Sequence, residues 1–183
     1  MKQKPGWVLP DLKEAQKRTT NTIDRIDTFT IPEVARMMGR GKTYFISTYG
    51  CQANERDSET LAGILDELGF TPNETAEGSD VIIINTCAIR QNAEEKVLGE
   101  IGNFKRLYRE NKDLIIGVCG CMAQEEGLVE TLLTKYPQVR LLFGTHNIQE
   151  LPSMLYSCMF EGKKVVKIYS KEGEVYENLP VHR

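Results

Sequence analysis

The chain has 183 residues, of which 40% are hydrophobic and 27% charged, with a formal net charge of −3 and a mean hydropathy of −0.36. This composition is typical of one soluble domain with a hydrophobic core, and it argues against intrinsic disorder and collagen-like repeats. No stretch approaches the ~20 apolar residues of a membrane span, and Met1–Pro10 lacks the apolar run of a signal peptide, so we expect a cytoplasmic protein without membrane contact.

The pI and the cysteine content narrow the class of function. A pI near 5.6 lacks the strongly basic footprint of a self-sufficient nucleic-acid binder, so any RNA partner would need phosphate contacts from elsewhere. The five cysteines are odd in number and too widely spaced for a small disulfide scaffold. Because they would stay reduced in the cytosol, metal binding or catalysis is favoured over crosslinking.

The first forty residues are interpreted as an N-terminal extension, since they hold 8 Lys or Arg against 5 Asp or Glu in an acidic chain. Thr30 followed by Glu33 has the spacing of a capping box and predicts a short helix over Ile31–Met38, ended by Gly39. Upstream of Thr30 the pattern is polar and weak, as in a mobile or loosely docked arm.

Residues 41–170 alternate short apolar runs with segments of helical periodicity, which is the signature of βαβ units. The predicted strands, apart from at most a short edge strand around Phe70, are Thr43–Tyr49, Val81–Ile84, Leu114–Val118, Val139–Phe143 and Val165–Tyr169. The pattern predicts a three-layer α/β domain, with a mainly parallel sheet of about five or six strands and helices on both faces. Residues 171–183 are polar and unperiodic, and are interpreted as a linker.

Four helices are predicted between these strands. The first carries one apolar stripe made of Leu61, Ile64, Leu65 and Leu68. The second begins near Asn92, the third stops before Pro137, and Asn147 can cap the fourth.

Three cysteines come at or just after the carboxyl ends of predicted strands. Cys51, Cys87 and Cys121 therefore lie at one edge of a parallel sheet and can meet in space. Each also precedes a helix start, where the positive helix end favours a thiolate, so we expect low thiol pKa values. Gly50 and Gly120 fit a chain that turns sharply beside a bulky ligand. Three thiolates at one edge predict a metal site.

The spacing leaves the identity of the metal open. Three sulfur ligands leave one position vacant on either a zinc ion or one iron of a 4Fe-4S cluster. His146 could complete a Cys3His site with Cys51, Cys87 and Cys121, which would make the domain a zinc-binding structural or interaction module. We favour the interpretation of His146 as an ordinary turn residue, or as a residue that contacts the metal ligands without binding the metal itself.

The other two cysteines are predicted to fill the core. Cys158 lies on the apolar stripe of the fourth helix, and Cys119 belongs to an apolar strand. A thiol enzyme using Cys119 or Cys121 as nucleophile ranks last, because no histidine lies close in sequence to act as base.

Several polar residues crowd the same edge and could support the cysteines or contact substrate. They are Gln52, Asn54, Asn85, Arg90 and His146. Asn54 can instead simply cap the first long helix. Arg90 could tune the potential of a negatively charged cluster or hold a nucleotide phosphate, and a solvated surface arginine is an equal alternative.

Three segments, Thr48–Asn54, Asn85–Arg90 and Gly120–Gln124, resemble the signatures of the amino-terminal domain of radical-SAM methylthiotransferases. The resemblance spans roughly residues 41–183, and Ala53 departs from the methionine usual in that family. It implies that Cys51, Cys87 and Cys121 hold an auxiliary 4Fe-4S cluster. The open iron of that cluster would take the sulfur that is delivered to a modified adenosine beside the anticodon of a tRNA.

The same resemblance implies parts that this sequence lacks. The family binds S-adenosylmethionine on a second 4Fe-4S cluster held by a Cys-x-x-x-Cys-x-x-Cys motif, and that spacing does not occur in these 183 residues. We therefore expect the amino-terminal piece of a longer enzyme, inactive alone, with the radical-SAM domain following in cis. The tRNA would be gripped largely by later domains.

Overall fold

The computed structural model describes residues 25–28, 33–87, 91–121, 126–168 and 174–177. Its strands are β1 (Arg25–Thr28), β2 (Thr43–Tyr49), β3 (Thr71–Pro72), β4 (Val81–Thr86), β5 (Ile115–Gly120), β6 (Val139–Phe143), β7 (Val165–Lys167) and β8 (Glu174–Glu177). Its α-helices are α1 (Gln52–Glu67), α2 (Gln91–Glu110), α3 (Glu126–Lys135) and α4 (Leu151–Phe160). Two 3-10 helices span Glu33–Met37 and Thr145–Glu150. Within these ranges no helix combines the length and apolar character needed to cross a bilayer.

Strands β2 to β7 form one six-stranded sheet in the order β3-β2-β4-β5-β6-β7. Every neighbouring pair in it is parallel, so all six carboxyl ends lie at one edge. The chain passes from β2 to β3 on one side and then crosses to β4 on the other. The winding therefore reverses between β2 and β4, which is where doubly wound sheets form their ligand sites.

Helices cover both faces of the sheet, which confirms the predicted three-layer α/β fold. One core cluster joins the sheet to α1 and α4 through Leu61, Leu65, Leu151 and Leu155. The other joins it to α2 and α3 through Val97, Ile101, Leu128 and Leu132. Along β4 successive side chains alternate between the two clusters, as strand geometry requires.

The element boundaries differ from the predicted ones mainly at the site edge. Strands β2 and β6 have the predicted bounds, whereas β4 and β5 continue two residues further, through Thr86 and Gly120. Asn85 and Cys119 are consequently paired residues of the ladder. The apolar runs end earlier than the backbone pairing does, because main-chain hydrogen bonds form regardless of side-chain polarity.

A second, two-stranded pair joins β1 to β8 in parallel, from Arg25 opposite Glu174 to Thr28 opposite Glu177. Neither strand was predicted, because both segments are short, polar and without a clear period. The predicted helix over Ile31–Met38 is a 3-10 helix over Glu33–Met37, and residues 31 and 32 lie outside the described residues.

Candidate metal centre

The strand register brings the three cysteine-bearing segments together. Tyr49 on β2 lies opposite Thr86 on β4, and Thr86 lies opposite Gly120 on β5. Adjacent strands are about 4.8 Å apart, so the three segments leave the sheet side by side within about 10 Å. Cys51 follows Tyr49 by two residues, while Cys87 and Cys121 directly follow Thr86 and Gly120. The Cys87 N–H donates to the Tyr49 carbonyl at 3.1 Å, which ties the first two segments together.

Two glycines allow the segments to pack this closely. Gly50 has φ +140°, and a Cβ there would lie 2.8 Å from the Cβ of Cys87. Gly120 has φ +101°, and a Cβ there would collide with the Thr86 carbonyl oxygen. Both positions thus need the positive φ and the missing side chain, which confirms the predicted sharp turns. The contacts that exclude a side chain come from the protein itself, and the bulky ligand stays a prediction.

Cys51 occupies the N-cap of α1, with φ −100° and ψ −179°. The N–H groups of Asn54 and then Ala53 point at its sulfur and lower the thiol pKa, against the raising effects of burial and of Asp57. This confirms the expected low pKa for Cys51. The interpretation of Asn54 as the helix cap is wrong, because Cys51 takes that position. Asn54 is the third helical residue, and its Oδ1 accepts the Cys51 N–H at 3.3 Å.

The three thiols differ in exposure. Cys51 and Cys121 are exposed, whereas Cys87 is buried. A group held by all three would therefore keep a solvent-facing side. In the described ranges, which include Cys51, Cys87, Cys121 and His146, no three His, Cys, Asp or Glu side chains are gathered as they would be around one metal ion.

His146 lies on the 3-10 helix that follows β6 and is exposed. It interacts electrostatically with Asp57 on α1: burial raises the pKa of that carboxyl, and the histidine partly offsets the effect. The prediction of Asn147 as a cap was wrong, since Gly144 precedes the 3-10 helix and Glu150 is the N-cap of α4. Asn147 is instead buried within the 3-10 helix.

Cys119 and Cys158 are core residues, as predicted. Each is only 1% exposed and belongs to the cluster between the sheet, α1 and α4. Burial raises the pKa of both thiols, for Cys119 to well above its ordinary value. Cys119 is therefore protonated at neutral pH and unsuited to act as a thiolate nucleophile.

A set of hydrogen-bonded side chains next to Cys51, which we call the asparagine network, runs from two buried asparagines to an exposed threonine. It consists of Asn54, Asn85, Ser58 and Thr48. Sequence reasoning selected the two asparagines but missed Ser58 and Thr48. Ser58 could have been found, because it follows Asn54 by one helical turn and so shares its face. Of the other candidates, Gln52 is the exposed first residue of α1, and Arg90 lies outside the described residues.

The fold and the site edge define a known class of protein domain. Residues 43–144 match the family described as "Uncharacterized protein family UPF0004", which is more than half of the chain. The chain belongs to this family.

Curated relatives carry a more specific name. The chain is 53% identical over 93% of its length to a tRNA-2-methylthio-N(6)-dimethylallyladenosine synthase of Staphylococcus saprophyticus subsp. saprophyticus. Proteins with the same name from Oceanobacillus iheyensis and Geobacillus thermodenitrificans are 50% and 52% identical over 95% and 93% of the chain. The chain spans only about one third of the length of these relatives, 33%, 34% and 33% respectively. The predicted likeness to methylthiotransferases is confirmed, and it extends over about one third of the length of these relatives.

Proposed function

We propose that this chain is the iron–sulfur-binding N-terminal domain of a tRNA methylthiotransferase, an enzyme that adds a methylthio group to a modified adenosine next to the anticodon. Cys51, Cys87 and Cys121 are the proposed ligands of an auxiliary 4Fe-4S cluster. The names of the relatives support the activity of the whole enzyme. The observation that carries the ligand assignment is the row formed by Tyr49, Thr86 and Gly120, from which all three cysteines follow.

The donor set fits an iron–sulfur cluster better than a single ion. Thiolates are the usual ligands of these clusters. A zinc site with Zn–S distances of about 2.3 Å needs sulfurs roughly 4 Å apart, and the described residues contain no such group of three. A cluster takes each thiolate on a different iron, so its ligands stand further apart, as three neighbouring strands of a sheet would hold them.

The three cysteines have different surroundings, which would give them different roles in holding the cluster. Cys51 at the N-terminus of α1 offers a thiolate stabilised by two backbone N–H groups. Cys87 anchors the buried side, and the exposure of Cys51 and Cys121 leaves the other side accessible to substrate. When bound, such a cluster supplies one iron without a protein ligand, and this open position suits the holding of a sulfur atom.

The remaining parts of the reaction are assigned to the portion of the enzyme outside this chain. S-adenosylmethionine and a second 4Fe-4S cluster would be bound there by a radical-SAM domain in cis. The same portion would make most of the contacts to tRNA in the cytoplasm, in keeping with a chain whose net charge is −3. The fragment alone is expected to be inactive.

The test is reconstitution of the chain with iron and sulfide under argon, followed by metal and sulfide analysis. About four irons and four sulfides per chain are expected, with loss of the cluster in Cys51→Ala, Cys87→Ala and Cys121→Ala. The control variant Cys158→Ala should keep it, because Cys158 is buried in the core away from the site edge. A colourless protein with one zinc and no iron would instead favour a zinc-binding module of Cys51, Cys87, Cys121 and His146.

A further inference from the structure

We propose that Asn85 is a positioning residue of this site, whose buried side chain fixes Asn54 and thereby the turn that carries Cys51. The inference rests on the proposed function and concerns the same cluster. It assigns a role to a side chain that would touch neither the cluster nor the substrate.

Asn85 stands where the pattern of β4 calls for an apolar residue. Val81 and Ile83, at the preceding positions of the same strand face, belong to the core cluster beneath α1. Asn85 continues that row and is fully buried, at 0% exposure. A buried amide is tolerated only when its polar atoms are hydrogen-bonded, so the position depends on specific partners.

Those partners all come from α1. Asn85 Nδ2 donates to the main-chain oxygen of Asn54 at 2.8 Å and to Ser58 Oγ at 2.9 Å. In return Asn54 Nδ2 donates to Asn85 Oδ1 at 3.2 Å. Ser58 Oγ is also 2.7 Å from Thr48 Oγ1 on β2. These hydrogen bonds connect the first turns of α1 to β4 and β2, two of the three strands that end at the site.

Asn54 transmits this constraint to the cysteine. Its Oδ1 accepts the Cys51 N–H at 3.3 Å and lies 3.5 Å from the Cys51 sulfur. The orientation of Asn54 therefore sets the backbone turn from which the sulfur projects. Asn85 determines that orientation, since it bonds both the side chain and the main chain of Asn54.

The other two cysteine segments meet the same side chain. Cys87 follows Asn85 by two residues, directly after the end of β4. A Cβ on Gly120, the residue before Cys121, would lie 2.9 Å from Asn85 Oδ1. Asn85 thus lies against Asn54 in the first segment, belongs to the second and lies against Gly120 in the third, which is the placement expected of a residue that holds ligands in register.

The experiment compares Asn85→Ala with Gln138→Ala in the reconstituted 183-residue chain. Gln138 is also buried, at 1% exposure, and its Nε2 donates to the Ile101 carbonyl at 3.1 Å. It lies just before β6, at the opposite edge of the sheet, so its loss should lower the Tm without reaching the cysteines. Iron release to excess chelator and the EPR spectrum of the reduced cluster are measured under argon.

Asn85→Ala is expected to release iron about tenfold to hundredfold faster than wild type, with an altered EPR spectrum. Gln138→Ala should keep the wild-type rate and spectrum. Wild-type behaviour in folded Asn85→Ala, or equal acceleration in Gln138→Ala, would overturn this inference alone. Failure of the wild-type chain to take up iron would overturn the proposed function and this inference with it.

Ser58→Ala decides the matter if Asn85→Ala does not fold. It removes one hydrogen bond of Asn85 at a half-buried position. Iron release should then be about threefold to tenfold faster, the value of one neutral hydrogen bond. A wild-type rate in Ser58→Ala would contradict the role of Asn85.

Discussion

Gly50 and Cys87 lie so close that a Cβ on the glycine would stand 2.8 Å from the Cβ of the cysteine. They belong to neighbouring segments of the site, one after β2 and one after β4. The contact means that the space between these two segments is filled by backbone and leaves no room for a further side chain.

Gly50→Ala is expected to lower the free energy of unfolding by about 1 to 3 kcal/mol, because an alanine at φ +140° is strained. The new methyl group would also push the Cys87 segment away, so the iron content after reconstitution should fall. Urea unfolding and iron analysis measure the two effects.

Gly78→Ala is the control for this substitution. Gly78 also has a positive φ, +76°, but a Cβ there would meet nothing within 4 Å. It should lose stability to the backbone strain yet keep its iron. An unchanged iron content in Gly50→Ala would contradict the close packing of the two segments.

The metal-free chain should react with an alkylating reagent in an order set by exposure and thiol pKa. Cys51 and Cys121 are exposed, whereas Cys119 and Cys158 should be protected until the chain is denatured. Since only the thiolate reacts, Cys51, with its lowered pKa, should retain its rate as the pH falls below the ordinary thiol pKa of about 8.5. Mass spectrometry of the alkylated peptides over a pH series measures this order, and rapid native labelling of Cys119 would be inconsistent with it.

A hydrogen bond at the far end of α1 gives a stability prediction with a pH dependence. Tyr44 Oη donates to Asp66 Oδ1 at 2.9 Å, and burial together with this carboxylate raises the pKa of the phenol. The folded protein thus favours the neutral phenol, and its contribution is complete below the unfolded pKa of about 10. As the pH rises above that value the unfolded chain ionises first, so stability falls.

Tyr44→Phe should lower the free energy of unfolding by about 1 kcal/mol at neutral pH, since water can partly replace the bond to a half-exposed carboxylate. It should also weaken the loss of stability above pH ~10. Tyr156→Phe is the comparison, because Tyr156 is 46% exposed and should show no change at neutral pH. Urea unfolding at several pH values measures the stability of wild type and of both variants. If stability falls as steeply above pH ~10 in Tyr44→Phe as in wild type, Tyr44 is not the source of that loss.

Much of the fold follows from apolar periodicity in the sequence. The stripe of Leu61, Ile64, Leu65 and Leu68 is entirely buried, and β2 and β6 have their predicted bounds. The third helix ends at Lys135, before Pro137, as the proline requires. These features depend on local spacing, which a sequence displays directly.

The hydrogen bonds that hold the Cys51 turn in place could not be predicted from local spacing. Asn54 looks like a helix cap, and Asn85 looks like a loop residue after an apolar run. Their actual partners are each other, 31 residues apart in the sequence. The pairing of these two residues follows from the register between the strands and from the position of α1 on the sheet. Neither of these produces a local pattern in the sequence.

The most direct measurement for the central claim is the iron content of two alanine variants whose substituted cysteines lie two residues apart in the sequence. Cys119→Ala should lose about 1 kcal/mol of stability yet reconstitute with wild-type iron, because its side chain is buried in the core. Cys121→Ala should fold normally and fail to assemble the cluster, because its exposed side chain follows the last residue of β5 at the site edge. Full iron in Cys121→Ala would contradict the assignment of the three cysteines as cluster ligands.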